Sequence, residues 1–359
     1  MEKKPMFAEK HYPEILLPEE LDAYLSKGWY RMGQTMFTTH FLCFGRSFYS
    51  AIWVRLGLQG YRFRKSLRKL VRKNDALFTA QVRPASITPE KERLYRRYKS
   101  AFSGLLAPTL HDALMDGEDH NIFQTLEVAV YHGNRLIGLS YFDTGAESAA
   151  SIMGVYDPDY SKHSVGFYTM LKEIEHAKAA GLQYFYPGYV VPGYPRFDYK
   201  LRIGEADYFE LGTQSWKPYK ALRETDIPML QMEQHLSDMQ QYLAHFGIAA
   251  QVMYYPLFEA NLFGFWNAPY VDHPIFLKVE RAAADERVWM VLYEPGLKKY
   301  QLTVAAPFND LQLYFNNSYT ASFDKRHNYV ELLVVESILE TSSKPEAIRQ
   351  ALGQMATRP

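Results

Sequence analysis

The chain has one cysteine, Cys43, in 359 residues. That excludes an internal disulfide and any zinc site built on several cysteines. Charge of neither sign is in excess, since 40 basic side chains offset 40 acidic ones. Attraction to nucleic acid must therefore come from a local patch. Long hydrophobic runs are missing. The most apolar early stretch, Met36–Val54, contains His40 and Arg46 among many hydroxyls, and reads as core or a concave surface rather than a membrane span. The opening MEKKPMFAEKHYPE is charged and lacks an apolar centre, so no signal peptide is expected. Repeats and low-complexity tracts are not apparent. A reduced, cytoplasmic setting is the expectation, with no membrane or DNA partner. The length allows a large core and two or more domains, and a composition 47% hydrophobic and 22% charged is ordinary for a globular protein.

The chain is organised around Ser151–Phe209. SIMGVY is short, apolar and flanked by turn residues, as a buried strand would be. Asp157-Pro158 ends it, because proline cannot continue a ladder. Ser164 is placed to cap a helix whose apolar side is Phe167, Met170, Leu171, Ile174 and Ala177. Lys172, Glu173, Glu175 and Lys178 are expected on the other face. Gly181 suits the position just past the helix end, and Tyr184–Val191 reads as a second strand. The loop of this βαβ-like unit delivers free backbone N–H groups at a helix start, a place that can bind a phosphate, a carboxylate or an oxyanion.

Earlier in the chain, Leu17-Pro18-Glu19-Glu20-Leu21 starts a helix that Gly28 stops, and Trp29–Gln34 is a turn holding Arg31 among aromatics. Phe48–Leu58, with Arg55, should be a strand. Next comes the strongest local charge: Arg62, Arg64, Lys65, Arg68, Lys69, Arg72 and Lys73. Lys65, Arg68, Lys69 and Arg72 share one helical face, while Leu67, Leu70 and Val71 share another. The run is either a solvated surface face or a stripe of phosphate contacts for RNA. A second basic cluster, Arg93, Arg96, Arg97 and Lys99, lies on a helix over Pro89–Ala101.

Leu126–Tyr131 and Arg135–Phe142 flank His132-Gly133-Asn134, a hairpin signal, and Ala149–Tyr156 adds a third antiparallel strand. Meander, loop, helix, strand is the order of the acetyltransferase-like (GNAT) core. A full acyl-CoA loop carries several glycines and this one has only Gly166, which makes CoA the weaker donor candidate. Beyond Thr225 the character changes. A helix over Leu230–Phe246 precedes strand candidates at Ala250–Tyr255, Ile275–Val279, Trp289–Tyr293, Tyr300–Val304, Leu311–Phe315 and Tyr329–Val335, and a helix over Pro345–Met355 follows. The expected fold is α+β: a GNAT-like (acyl-CoA N-acyltransferase-like) mixed sheet with flanking helices and a C-terminal α+β extension. The expected units are 1–105, an N-terminal region with the basic helix; 106–225, the GNAT-like domain; and 226–359, the extension.

Two separated stretches resemble the arginyl/leucyl-tRNA–protein transferase family. Gly28-Trp29-Tyr30-Arg31-Met32-Gly33, Trp53-Val54-Arg55-Leu56, the basic run and Leu94-Tyr95-Arg96-Arg97-Tyr98 follow the family's G-W-R-R-S-G, P-V-R-I, basic run and L-Y-x-x-Y in order. Val155-Tyr156-Asp157-Pro158-Asp159, Ser164-Val165-Gly166, Gly181-Leu182-Gln183-Tyr184, Gly188-Tyr189 and Asp198-Tyr199-Lys200 resemble its Y-D-P-D, S-L-G, G-L-x-Y, G-Y-W and D-Y-K. The family's tryptophan in G-Y-W is Val190 here, and Tyr194 stands where the family often has a small residue or cysteine. The cysteine cluster usual between the first two motifs, which holds a metal or iron–sulfur group, is replaced by His40–Arg46. No metal and no cofactor are therefore expected.

The resemblance implies peptide-bond formation between an aminoacyl-tRNA and the N-terminal amine of an acceptor protein, with arginine or leucine transferred. The ester is already activated, so the enzyme has to position two reactants, accept a proton and stabilise an oxyanion. In that scheme Asp157 holds an ammonium, and Tyr189, Tyr199 and Lys200 orient substrate or carry a proton. Ser164, Val165 and Gly166, with Tyr156 and Gly188, bind substrate. Arg31, Arg55, Arg64, Lys65, Arg68, Lys69 and Arg72 meet tRNA phosphates. Plainer roles stand beside these: Asp157 as a turn residue, Gly166 for close packing, Tyr199 as a core aromatic and Lys200 as a surface charge. Two other functions remain open, a GNAT-like acyltransferase with another donor and a non-catalytic module that binds peptides or RNA.

Overall fold

The computed structural model describes residues 7–263, 268–281, 286–308 and 317–356. In the N-terminal part, β1 (Ala8–His11) and β2 (Tyr30–Met32) flank β3 (Thr35–Thr39) in a small antiparallel sheet. Helix α1 (Pro18–Leu25) lies between β1 and β2. It begins on proline with Glu19 and Glu20 in its first turn, and Gly28, at φ 75°, redirects the chain after it. β4 (Phe41–Phe44) and β5 (Ser47–Ser50) form a ribbon. The chain then enters the central sheet as β6 (Ile52–Gly57).

Helix α2 (Lys65–Asp75), β7 (Thr79–Pro84), α3 (Pro89–Ala101) and α4 (Leu110–Met115) lead to the meander β8 (Thr125–His132), β9 (Arg135–Thr144) and β10 (Ser148–Tyr156). Helix α5 (Val165–Ala179) then crosses to β11 (Tyr184–Val190), and the hairpin β12 (Asp207–Glu210) and β13 (Ser215–Pro218) completes one edge. The eight-stranded order is β13-β12-β6-β11-β10-β9-β8-β7, and its one parallel pair is β10 with β11. The expected meander, helix and returning strand are thus present. The boundary expected at residue 105 is corrected, because it cuts this sheet: β6 and β7 come from before it. Ile52, Trp53, Val54 and Leu56 are all under 5% exposed, and a strand buried on both faces needs a central place, here between β11 and β12.

One face of the sheet carries α5 and α2, with Leu67, Val71, Tyr168, Leu171 and Ile174 packed over Val128, Val130 and Ile137. The other face carries α3 and α4 on Leu139, Tyr141 and Val155, and the N-terminal strands on Trp53, Ala150 and Tyr186. Strands β10 and β11 pair over three positions only, Ser148 with Tyr184, Ala149 with Phe185 and Ala150 with Tyr186. Then they diverge. In β10 the register against β9 shifts between Ser151 and Met153. In β11, Pro187 has no N–H to offer a ladder, Gly188 sits at φ 95°, and the register against β6 slips across them. At the fork the buried Tyr30 hydroxyl donates to the carbonyls of both strands, Ser151 at 2.5 Å and Tyr186 at 2.6 Å.

The extension starts with α6 (Pro228–His245), whose Met229, Met232, Leu236, Met239 and Leu243 form one apolar stripe. The strands β14 (Ala250–Tyr254), β15 (Ile275–Val279), β16 (Val288–Glu294), β17 (Lys299–Pro307) and β18 (Leu333–Ser342) make an antiparallel sheet in that order. Two short helices, α7 (Ala260–Phe263) and α8 (Asn317–Ala321), sit in its connections, and α9 (Pro345–Ala356) ends the described chain. The expected strand Leu311–Phe315 lies outside the described residues. The strand expected at Tyr329–Val335 is corrected to Leu333–Ser342. It is an edge strand with one exposed side, so polar residues extend it past the apolar run. Phe7 and Phe41 enter the extension's core. Phe7 N–H donates to Asp272 at 2.7 Å and Met229 N–H to the Ser50 hydroxyl at 2.9 Å. No helix among the described residues is long and apolar enough to cross a membrane.

The fork generates a direct prediction. Tyr30→Phe removes a donor that serves two buried carbonyls, and should cost about 1–3 kcal/mol in urea unfolding. An unchanged midpoint would show that the fork does not need the hydroxyl.

Candidate active site

Where β10 and β11 part, a cavity of about 630 Å³ opens. That volume suits a small ligand or one end of a large one. Aromatic and aliphatic side chains, including Tyr30, Trp53, Met153, Phe167, Met170 and Tyr189, share its wall with polar groups. The start of α5 forms one rim. Ser164 is left-handed there (φ 53°, ψ 43°) and makes no side-chain cap, which corrects its expected role. The residue is a joint: its N–H closes a 3₁₀ turn over Pro158–His163 by donating to Ser161 O, and its carbonyl accepts from Tyr168 N–H. With no capping side chain, the first N–H groups of α5 are left for a ligand. Gly166 lines the cavity at this point, and a Cβ there would meet the Tyr156 ring at 3.1 Å.

Gly188, Tyr189, Tyr199 and Lys200 line the cavity as well. The Lys200 ammonium donates to Tyr189 O at 3.0 Å and stands 5.1 Å and 5.2 Å from the ring centres of Tyr189 and Phe197. A Cβ at Gly188 would come within 3.0 Å of that ammonium, so glycine makes the room. Part of the lysine stem stays exposed, but desolvation of the charged end lowers its pKa from 10.5 to about 7. Burial pushes the Tyr189 phenol up to about 12. Tyr199 sits at the rim, 38% exposed, with its ring edge-on to Phe167.

The inner end of the cavity holds Glu173, which belongs to no exposed face. It is fully buried, and this corrects its expected place among the solvated residues of α5. Burial raises its pKa from 4.5 to about 8, although Ser140 and Ser151 beside it temper the rise. Among the described residues neither carboxyl oxygen has a hydrogen-bond partner of normal geometry, nor has the Ser140 hydroxyl. The signal was in the spacing: Gly166, Met170 and Glu173 fall on one helical side.

Not every residue singled out from the sequence reaches the cavity. Tyr156, Ser164 and Gly166 line it, but Val165 is wholly buried beneath the sheet, where a Cβ on Gly138 would collide with it at 2.3 Å. Asp157 is engaged elsewhere. Its buried carboxylate takes Arg97 at 2.8 Å, the Asp159 N–H at 3.2 Å and Arg135. Burial pushes its pKa up, yet Arg97, the Asp159 N–H and Arg135 outweigh that and hold it below its ordinary value. A saturated, buried carboxylate does not hold a substrate ammonium, so that expectation is corrected.

Two arginines expected on tRNA are also tied down. Arg31 is buried. It donates to Asp143 and Thr125 at 2.9 Å and to Leu114 O and Gly33 O at 2.7 Å. Arg55 is held between the Tyr184 and Trp216 rings, at 4.2 Å and 4.7 Å, and 3.4 Å from Asp207. By contrast Arg64, Lys65, Arg68, Lys69 and Arg72 are exposed, and no ion pair to an acid is seen for them among the described residues. Their helix packs beside α5, and Asn74 at its end donates to His163 O at 3.0 Å, in the turn that leads to Ser164. The C-terminal end of the basic helix is thus tied to the turn that leads into the cavity rim at Ser164. Among the described residues no group of three histidines, cysteines or acids could hold a metal.

A meander, a crossover helix with an open N-terminus and a diverging parallel strand define a GNAT-like transferase fold. The family described as arginine-tRNA-protein transferase, C terminus, matches residues 90–210. An aspartate/glutamate leucyltransferase of Leptospira interrogans is 30% identical over 194 residues, 53% of this chain and 74% of that one. One from Helicobacter hepaticus is 27% identical over 207 residues, 56% of this chain and 83% of its own. The chain belongs to the arginyl/leucyl-tRNA–protein transferase family. Among solved structures, the C-terminal domain of a putative lysylphosphatidylglycerol synthetase from Agrobacterium fabrum aligns over 39% of this chain and 47% of its own, at 12% identity and a TM-score of 0.31.

Glu173 gives a pH prediction. Its folded pKa, about 8, lies above the ordinary 4.5. Stability held while the carboxyl is neutral is therefore lost as pH climbs from about 4.5 through 8. Glu173→Gln cannot ionise, so its melting temperature should gain on the wild type between pH 4.5 and pH 9. A difference that does not change with pH would contradict this.

Proposed function

We propose that this protein moves an amino acid from aminoacyl-tRNA to the N-terminal amine of an acceptor protein. The observation that supports it most is the cavity between β10 and β11, lined by the start of α5 and by Lys200, with the turn before α5 bonded to the end of a basic helix whose charges meet no acid among the described residues. The aminoacyl ester enters the cavity while the ridge holds tRNA phosphates. The acceptor nitrogen attacks the ester carbonyl, a C–N bond forms, and the bond to the ribose oxygen breaks. N–H groups near Gly166 stabilise the oxyanion. Lys200, neutral above about pH 7, takes the proton released by the amine and returns it to the departing ribose oxygen. Tyr189 and Tyr199 orient the reactants. The relatives' names favour leucine as the donated residue and acidic N-termini as acceptors, and arginine is the alternative.

Transfer of radiolabelled leucine or arginine from charged tRNA to peptides beginning with Asp, Glu, Lys or Arg tests this reading. Transfer of one of the two is expected, and transfer of neither would remove it. Lys200→Met should lower the rate by about 10²–10⁴-fold. The wild-type rate should rise with pH through about 7, because only the deprotonated lysine accepts a proton. Lys65→Glu with Arg68→Glu should weaken tRNA binding and flatten its salt slope by about 2. Unchanged binding would assign that face to plain solvation.

A further inference from the structure

We infer that Glu173, with Ser140 and Ser151, is the seat for the α-ammonium of the aminoacyl donor. This rests on the transfer reaction proposed above. The geometry begins with what the cavity lacks: among the described residues that line it, Glu173 is the one acid. An aminoacyl ester brings a primary ammonium wherever its carbonyl goes, and a buried cation without a counter-charge is strongly disfavoured. Glu173 offers two carboxyl oxygens and Ser140 a hydroxyl, all buried and all without a normal hydrogen bond. A carboxylate and two hydroxyls are acceptors enough for the three N–H donors of an ammonium.

Position agrees with this. Glu173 is seven residues beyond Gly166, about 10 Å along the helix. Its side chain leans back toward the helix start, as helical side chains do. The carbonyl end of a donor can then lie at the N–H groups of α5 while its amine points inward. The other carboxylates near the cavity already have a cationic partner. Asp157 is saturated by Arg97 and Arg135, and Asp143 is paired with Arg31. With no donor bound, a neutral carboxyl avoids an unpaired buried charge. When the ammonium arrives, the carboxyl proton leaves to solvent and an ion pair replaces it.

Two donors that differ only at the α-position test the assignment: aminoacyl-tRNA and the same tRNA carrying the α-hydroxy acid made by nitrous acid deamination. The wild type should prefer the amine by at least about tenfold in kcat/KM. Glu173→Gln should bring the ratio close to one, mainly through KM for the amine donor. Glu173→Asp, which keeps the charge, should retain part of the preference. A wild-type ratio near one, or a ratio that survives Glu173→Gln, overturns the assignment. A loss confined to arginyl donors would do the same, by moving the contact to the side chain. Binding of leucinamide against its desamino analogue 4-methylpentanamide reads the seat without any transfer. Leucinamide should bind the wild type better than the analogue does, and Glu173→Gln should remove the difference. Equal binding, or none to the wild type, counts against the seat, whereas a failure of transfer alone counts only against the proposed reaction.

Discussion

Everything at the candidate site depends on two parallel strands that stop pairing. β10 and β11 share three positions and then part, leaving backbone groups that a continuous ladder would have joined. Such groups are costly to bury unsatisfied. The chain meets that cost with Tyr30, whose hydroxyl lies between the Ser151 and Tyr186 carbonyls at the fork. Pro187 and Gly188 on one strand and the register shift near Ile152 on the other keep the ladder from closing. The N-terminal strands, which would otherwise look like decoration on a transferase domain, are therefore part of the cavity: β2 supplies the residue that props it open.

Charge is distributed so that walls are rigid and the interior is reactive. Arg31–Asp143, Lys91–Glu127 and the Arg97 and Arg135 pairs to Asp157 are ion pairs whose acids are buried, and they join elements distant in sequence. Each leaves little freedom to its partners. Inside the cavity the pattern reverses. Among the described residues Glu173 and Lys200 have no opposite charge beside them, and burial moves both toward neutrality, one upward and one downward. Groups shifted in this way are suited to exchanging protons or receiving charge from a ligand.

Much of this was legible in the sequence, for reasons specific to each element. Helix α3 matches Pro89–Ala101 at both ends because proline starts it and its apolar face is regular. The meander was legible because His132-Gly133-Asn134 separates two alternating runs. Edge strands were not. β7 and the β12–β13 hairpin carry polar residues on an exposed side and show no continuous apolar run. Among site residues, Gly166, Tyr189 and Lys200 do line the cavity. Glu173 was missed because a glutamate between Lys172 and Ile174 looks solvated until the helix is laid against two serines of the sheet. Arg31 and Asp157 misled for the opposite reason: their motifs mark buried ion pairs, whose partners 112 and 60 residues away no local pattern reveals. The domain boundary failed on the same ground, since β6 is joined to β11 only in space.

The central claim is that the cleft between β10 and β11 receives the amino acid while its tRNA stays outside. A leucine bearing a diazirine, carried as the ester on tRNA, reports this directly when irradiated with the protein and the labelled peptides are mapped. Labelling should fall on Ile152, Met153, Phe167, Met170 or Tyr189, and free tRNA should compete it away. Labelling confined to the β14–β18 sheet, or spread over the surface without competition, would contradict it.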